Sequence, residues 1–231
     1  MLVTRRRRPL HLAILGFVLV LGAASAIGWL LDSTDDRDGL ARFDDSLTRW
    51  GAEHVTSGWR AVFIVATQFG SFVVIAPVFA VIAVVELRHR ERRWVVWYLL
   101  IVGAGVALLN NGLKLTVDRE RPAVAPLVEA AGSSFPSGHA AAAAACWAAI
   151  TVVVAVRAGR RLHRLVAGSI VIAVVVAASR VLLGVHWLTD VVAGLVVGWA
   201  WYAVVTLALG GRLEPLTPPP ADAVPAGAEA A

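Results

Sequence analysis

His186 and Asp190 stand four residues apart, a spacing that puts both side chains on one face of a helix, and Arg180 precedes them in SRVLLGVHWLTD. A carboxylate that accepts a hydrogen bond from one imidazole nitrogen fixes the tautomer and leaves the other nitrogen free to attack. His186 is therefore a candidate nucleophile and Asp190 its orienter. A second histidine, His139, closes the run Pro136-Ser137-Gly138-His139, which leads into the strong helix former AAAAAACWAAI. Backbone N–H groups around Ser137 and Gly138 would then point from a helix N-terminus at an anion, with His139 beside them as a proton donor to a leaving oxygen. Lys114, Arg121 and Arg180 add three positive charges, and guanidinium forks match phosphate oxygens. Lys114 is the only lysine in a chain with 21 Lys and Arg residues, which marks a position where a compact ammonium is wanted. A phosphate cradle, a base and an acid together suit hydrolysis of a phosphate ester or anhydride.

Taken singly, these residues have plainer explanations. Arg180 could snorkel to the headgroups, His186 could hydrogen-bond at the interface, and Asp190 could cap the helix that follows it. Chance would have to supply the acid, the base, the cradle and their common location together. Asp118, Arg119, Glu120 and Glu129 are read as solvated loop residues, with Asp118 and Glu120 tempering the local positive field. Cys146, the one cysteine, is read as a small core residue.

The elements that must position these groups are membrane helices. At 58% hydrophobic and 16% charged residues, with a mean hydropathy of +0.74, the 231-residue chain is too apolar for a water-soluble domain of this length. Six apolar stretches, near 10–31, 61–86, 94–113, 140–156, 165–183 and 188–209, are each about long enough to span a bilayer. The expectation is an all-α integral membrane bundle of six transmembrane helices over residues 10–209. A basic stretch at 1–9 precedes it, and a Pro- and Ala-rich disordered tail at 210–231 follows. The first stretch also resembles a leader peptide, but its roughly 20 apolar residues exceed the usual 7 to 15, and it is read as a retained helix. Between the first two stretches, Phe43, Leu47 and Trp50 recur at helical spacing and suggest a short helix along the interface. Trp29, Trp59, Trp94 and Trp187 fall near helix ends, as in an aromatic belt.

Charge sets the orientation. Arginine blocks at 5–8, 88–93 and 157–164, with Arg212, hold 13 of the 21 Lys and Arg residues and fall on one side. The positive-inside rule makes that side cytoplasmic, places both termini there, and assigns the blocks to anionic lipid headgroups rather than to nucleic acid. The junction after the third stretch and the junction after the fifth must open on the same face, the outer face of the cell membrane. Lys114, Arg121, Ser137, Gly138, His139, Arg180, His186 and Asp190 therefore converge. An anion-binding or transport protein could use the same cluster, yet it would need polar residues continuing inward, and ITVVVAV and VAGSIVIAVVV are almost unbroken hydrocarbon.

Lys114-x6-Arg121-Pro122, then Pro136-Ser137-Gly138-His139, then Ser179-Arg180-x5-His186-x3-Asp190 resembles the three-part signature of the type 2 phosphatidic acid phosphatase superfamily. The resemblance covers residues 114–190 and implies the following roles. Lys114, Arg121, Ser137, Gly138 and Arg180 would hold the phosphate, and His139 would be the general acid. His186 would form a phosphohistidine, and Asp190 would orient it. It also implies action without a metal or other cofactor, and the carboxylate clusters that hold Mg²⁺ are missing from the sequence. The expected substrate is a lipid phosphate: a polyprenyl diphosphate first, then phosphatidylglycerophosphate or phosphatidate. The short loop between the first two motifs leaves little room for a lid, so a lipid-accessible pocket is expected. Peroxide chemistry, found on the same constellation in haloperoxidases, is disfavoured by the membrane embedding.

Overall fold

The computed structural model describes residues 8–33, 39–124, 126–158 and 162–209. These form helices α1 (Arg8–Ser33), α2 (Leu40–His54), α3 (Ser57–Gln68), α4 (Phe72–Leu87), α5 (Trp94–Val117), α6 (Gly138–Ala158), α7 (Leu162–Leu182) and α8 (Leu188–Leu209). One 3₁₀ turn, Arg90–Arg92, lies between α4 and α5. Six stretches are long and apolar enough to cross a membrane: α1, α3 with α4, and each of α5 to α8. Large apolar side chains such as Leu19, Phe72, Leu108 and Leu207 stay exposed on the outside, the reverse of a water-soluble fold. The tail at 210–231 and most of the basic stretch at 1–9 lie outside the described residues.

Helix α6 is the central post. Its alanines at 140, 141, 143, 144, 145 and 149 are buried, and small side chains let neighbouring backbones come close. Helix α8 answers with GLVVG, a small-xxx-small pattern that lays Gly194 and Gly198 against α6. A Cβ on Gly194 would stand 2.6 Å from the Ser137 carbonyl oxygen and 3.1 Å from the Ala140 Cβ, so only glycine permits this approach. On the other side of α8, the Trp201 ring covers Gly105 of α5 and its Nε1–H donates to the Val102 carbonyl at 3.1 Å. Phe17 of α1 meets Trp201 edge-on at 5.4 Å, so α1 packs into the same core.

Two elements differ from the sequence reading. The apolar stretch at 61–86 is not one helix. It breaks at Phe69-Gly70-Ser71, where Gly70 lies against the His139 carbonyl and the Val176 side chain, so that α3 packs on α7 while α4 leans on α5. The interfacial helix is longer than its apolar triplet suggested, and its inward face is mixed, with Leu47 packed on the bundle beside two polar residues. Asp44 and Thr48 are buried against the bundle while Phe43 and Trp50 are exposed. At the opposite end of the bundle, the buried Glu86 of α4 accepts from Arg157 of α6 at 2.5 Å, an ion pair that ties those helix ends together.

Candidate active site

Helix endings place the site residues. Helix α5 stops at Asp118, whose left-handed conformation (φ 47°, ψ 39°) lets its N–H close on the Lys114 carbonyl at 3.2 Å. Lys114 is thereby left in the last turn, with its ammonium donating to the Ser133 carbonyl at 2.5 Å. Helix α7 ends in a Schellman motif centred on Gly184 at φ 74°. The Gly184 N–H bonds to Val181 O at 2.9 Å, and the Val185 N–H bonds to Arg180 O at 3.2 Å. A side chain at 184 would be strained at that φ, and the reversal it permits returns His186 beside Arg180 two residues later.

Helix α8 then begins at Leu188, with Asp190 in its first turn. Asp190 Oδ2 reaches back to accept the Trp187 N–H at 3.0 Å, the half of a capping box that a side chain at the third helical position supplies. The same oxygen faces His186 Nδ1 at 3.6 Å, longer than a hydrogen bond. Such contacts are often long before substrate arrives. Asp190 is thus both the helix cap and the neighbour of His186, two readings that the sequence set against each other.

The cations gather round the same point. Arg121 donates to the carbonyls of Ala131, Gly132 and Val185, and its Nη1 stands 3.5 Å from His186 Nε2. Arg180, buried, donates from Nη1 to Thr67 Oγ1 at 3.2 Å. Among the described residues the Ser137 hydroxyl has no partner, and its backbone N–H, expected to face an anion, is instead committed to the Asp190 carbonyl at 3.0 Å. The amides of Gly138 and His139 open α6 and are the ones a helix leaves unpaired. Burial pushes the His186 imidazole down to about 4, with Asp190 pulling the other way, so the ring is neutral at neutral pH.

All eight residues singled out by sequence therefore lie at one end of the bundle. Sequence reasoning missed a ninth. Arg119, read as a solvated loop residue, is largely buried and donates to Asp190 Oδ1 at 2.7 Å, with its guanidinium 5.6 Å from the centre of the Trp187 ring. Trp187 is held in turn by the Glu120 carbonyl and belongs to this cluster rather than to a lipid belt. Nothing local marks Arg119, because its partners are 70 residues or more away. Asp118, Glu120 and Glu129 are exposed, as read.

From this cluster an apolar cavity of about 640 Å³ runs down between α4, α5 and α6. His139, Gly138 and Asn110 line its polar end, and Phe79, Leu99 and Cys146 line its depth. Phe72 and Leu100 at its rim are exposed on the outer surface of the helices, so the cavity opens sideways. An apolar cavity with this opening is compatible with the pocket expected from the short loop, and Cys146 is buried, as expected of a small core residue.

Residues 94–213 match the family model of the PAP2 superfamily, and the chain belongs to that superfamily. The phosphatidylglycerophosphatase B of Bacillus subtilis is 34% identical over 144 residues, which cover 60% of this chain and 70% of the relative. The decaprenylphosphoryl-5-phosphoribose phosphatase of Mycobacterium tuberculosis is 31% identical over 153 residues, 63% of this chain and 78% of the relative. A crystal structure described as the first transmembrane PAP2 type phosphatidylglycerolphosphate phosphatase from Bacillus subtilis superposes with a TM-score of 0.71 at 27% identity, covering 90% of this chain and 96% of that one. The protein is a multi-pass membrane lipid phosphatase, a hydrolase.

Proposed function

We propose that this phosphatase removes the terminal phosphate of a membrane lipid at the extracytoplasmic face, through a phosphohistidine on His186. One observation carries the reading. Among the described residues, five buried side-chain N or O atoms have no hydrogen-bond partner, and three of them are Ser137 Oγ, Arg180 Nε and His186 Nδ1. Buried polar atoms are rarely left unpaired: Ser137 Oγ and Arg180 Nε, beside the start of α6, suit the oxygens of a phosphoryl group, while His186 Nδ1 faces the Asp190 carboxylate that would orient it for attack through Nε2.

In the first step His186 Nε2 attacks phosphorus, the bond to the lipid oxygen breaks, and His139 gives that oxygen its proton. Arg121, Arg180, Lys114, the Ser137 hydroxyl and the Gly138 amide stabilise the equatorial oxygens. In the second step neutral His139 takes a proton from water, the water oxygen bonds to phosphorus, and the phosphorus–nitrogen bond breaks. The apolar cavity takes a hydrocarbon chain, with the headgroup at the His139 end. Below Asn110 the interior is filled by Val106, Val102 and Trp201, which offers no polar path for transport. The orientation rests on the arginine blocks.

The substrate order changes from that read in the sequence. Phosphatidylglycerophosphate now stands before a polyprenyl diphosphate, because the Bacillus relative carries that activity in its name and the Mycobacterium one is named for a decaprenyl lipid. The test is phosphate release by the purified protein from each lipid in the same micelles, with EDTA throughout. Release on either lipid supports the reading and ranks the two. Loss of activity in EDTA that Mg²⁺ restores would overturn the metal-free mechanism, and no release on either would overturn the substrate reading.

With substrate bound, His186 must be neutral and His139 protonated, so kcat is expected to trace a bell. Its acid limb should fall about tenfold per pH unit as neutral His186 is lost, which burial defers to low pH. Its alkaline limb follows loss of the His139 proton, which the negative charge of the bound phosphate holds on the ring. A flat profile between about pH 4 and 9 counts against the pairing.

A further inference from the structure

At the head of α8 two carboxylates clasp one guanidinium. Arg119 donates from Nη1 to Asp190 Oδ1 and to Thr189 Oγ1 at 2.8 Å, and from Nη2 to Asp44 Oδ2 at 3.3 Å. Asp44 comes from α2, far away in the chain. It accepts the Thr189 N–H on Oδ1 at 3.0 Å and the Thr189 hydroxyl on Oδ2 at 2.5 Å. Trp187, at the N-cap of α8, has no side-chain oxygen to accept an amide of the first turn, and Asp44 does so in its place.

We propose that Asp44 and Arg119 are positioning residues for the reaction proposed above: Asp44 fixes the Arg119 guanidinium and the first turn of α8, and Arg119 fixes the Asp190 carboxylate that faces His186. The inference rests on that functional reading for its kinetic part. Asp190 is held on Oδ1 by Arg119 and on Oδ2 by the Trp187 amide, so the carboxylate cannot turn away from the imidazole. The clasp also meters charge. Arg119 draws on the negative charge that Asp190 offers His186, and Asp44 draws on the positive charge of Arg119. The other charged or titratable groups facing His186 are Arg121 from the loop, Arg180 from α7 and His139 from α6, all unchanged by substitutions at 44 or 119.

Asp44→Asn and Arg119→Gln are therefore expected to move the ionisation of His186 in opposite directions. Asp44→Asn leaves Arg119 uncompensated beside Asp190, weakens the carboxylate's hold, and moves the imidazole midpoint to lower pH. Arg119→Gln frees the carboxylate and moves it to higher pH. The midpoint is read by nitrogen-15 NMR of the histidine rings in the full-length protein in micelles, with His186→Gln assigning the resonance. In parallel, Asp44→Asn should lower kcat about tenfold with KM within about twofold, as expected when a reacting group is misplaced while binding is untouched. Arg119→Lys, which keeps the charge, should hold the wild-type midpoint; if the glutamine variant does not fold, Arg119→Met, equally uncharged, takes its place. Shifts of the same sign, or unmoved midpoints in Asp44→Asn, would overturn the relay and leave a clasp that only stabilises. The NMR arm needs no substrate. Opposite shifts in a protein that hydrolyses neither lipid would uphold the clasp while sinking the functional reading.

Discussion

Replacing His186 by alanine is expected to reduce lipid-phosphate hydrolysis by about 10⁴-fold, or roughly 5.5 kcal/mol of barrier. The residue is buried between Asp190 and Arg121, and among the described residues no other imidazole stands in that place. His139, the second histidine of the cluster, lies on the cavity side of Gly138 and would have to serve as both nucleophile and acid. Wild-type protein quenched during turnover of a lipid labelled in its terminal phosphate should carry acid-labile label, and His186→Ala should carry none. Activity within about tenfold of wild type would remove His186 from the nucleophile's role, because even general acid–base assistance is worth about 10²- to 10⁴-fold. His139→Ala separates the roles further. It should slow turnover while still allowing label to accumulate from a substrate with a good leaving group, since attack by His186 then needs no proton donor.

The second large effect is expected from a single methyl group. Gly194→Ala places a Cβ on the Ser137 carbonyl oxygen and close to the Ala140 Cβ, atoms of backbone and helix that cannot swing aside. The two helices must part by a few tenths of an ångström to an ångström, and overpacking of this kind costs about 1–3 kcal/mol. The same movement stretches the bond from the Ser137 N–H to the Asp190 carbonyl, which ties the start of α6, the proposed phosphate cradle, to the end of α8 beside His186, the proposed nucleophile. Activity should fall about a hundredfold, more than the loss of folded protein explains. Gly22→Ala, where a Cβ meets nothing within 4 Å, is the control and should leave both thermal stability and turnover near wild type. Equal behaviour of the two variants would show that the contact of α6 with α8 does not set the site's geometry.

Much of the site was legible because its residues sit at helix ends within short runs. PSGH before an alanine-rich helix, and a histidine and aspartate four apart, carry their geometry in local spacing. The even number of crossings between junctions put both motifs on one face without any knowledge of packing. Arg119 and Asp44 were illegible for the opposite reason. Each is an ordinary charged residue in polar sequence, and only the docking of α2 on α8 buries them together. The break at Phe69-Gly70-Ser71 was hidden by the hydropathy of its flanks, which continues across it, while the carbonyl that lies against Gly70 there comes from His139, distant in sequence. GLVVG was visible and points to close helix packing, but it does not name the partner helix. The Ser137 amide looked like an anion donor because a helix start says which groups are unpaired within the helix, and says nothing about a carbonyl brought in from elsewhere.

The sideways mouth of the cavity, between Phe72 of α4 and Leu100 of α5, decides what concentration means for this protein. A chain entering there comes from a two-dimensional fluid and never crosses water, so encounter is set by the substrate's mole fraction among neighbouring lipids. Inert detergent or lipid then acts as diluent even when the amount of substrate per volume is constant, and half-saturation is properly a surface composition. The cytoplasm and the exterior matter to such a phosphatase mainly as the places where phosphate and protons go.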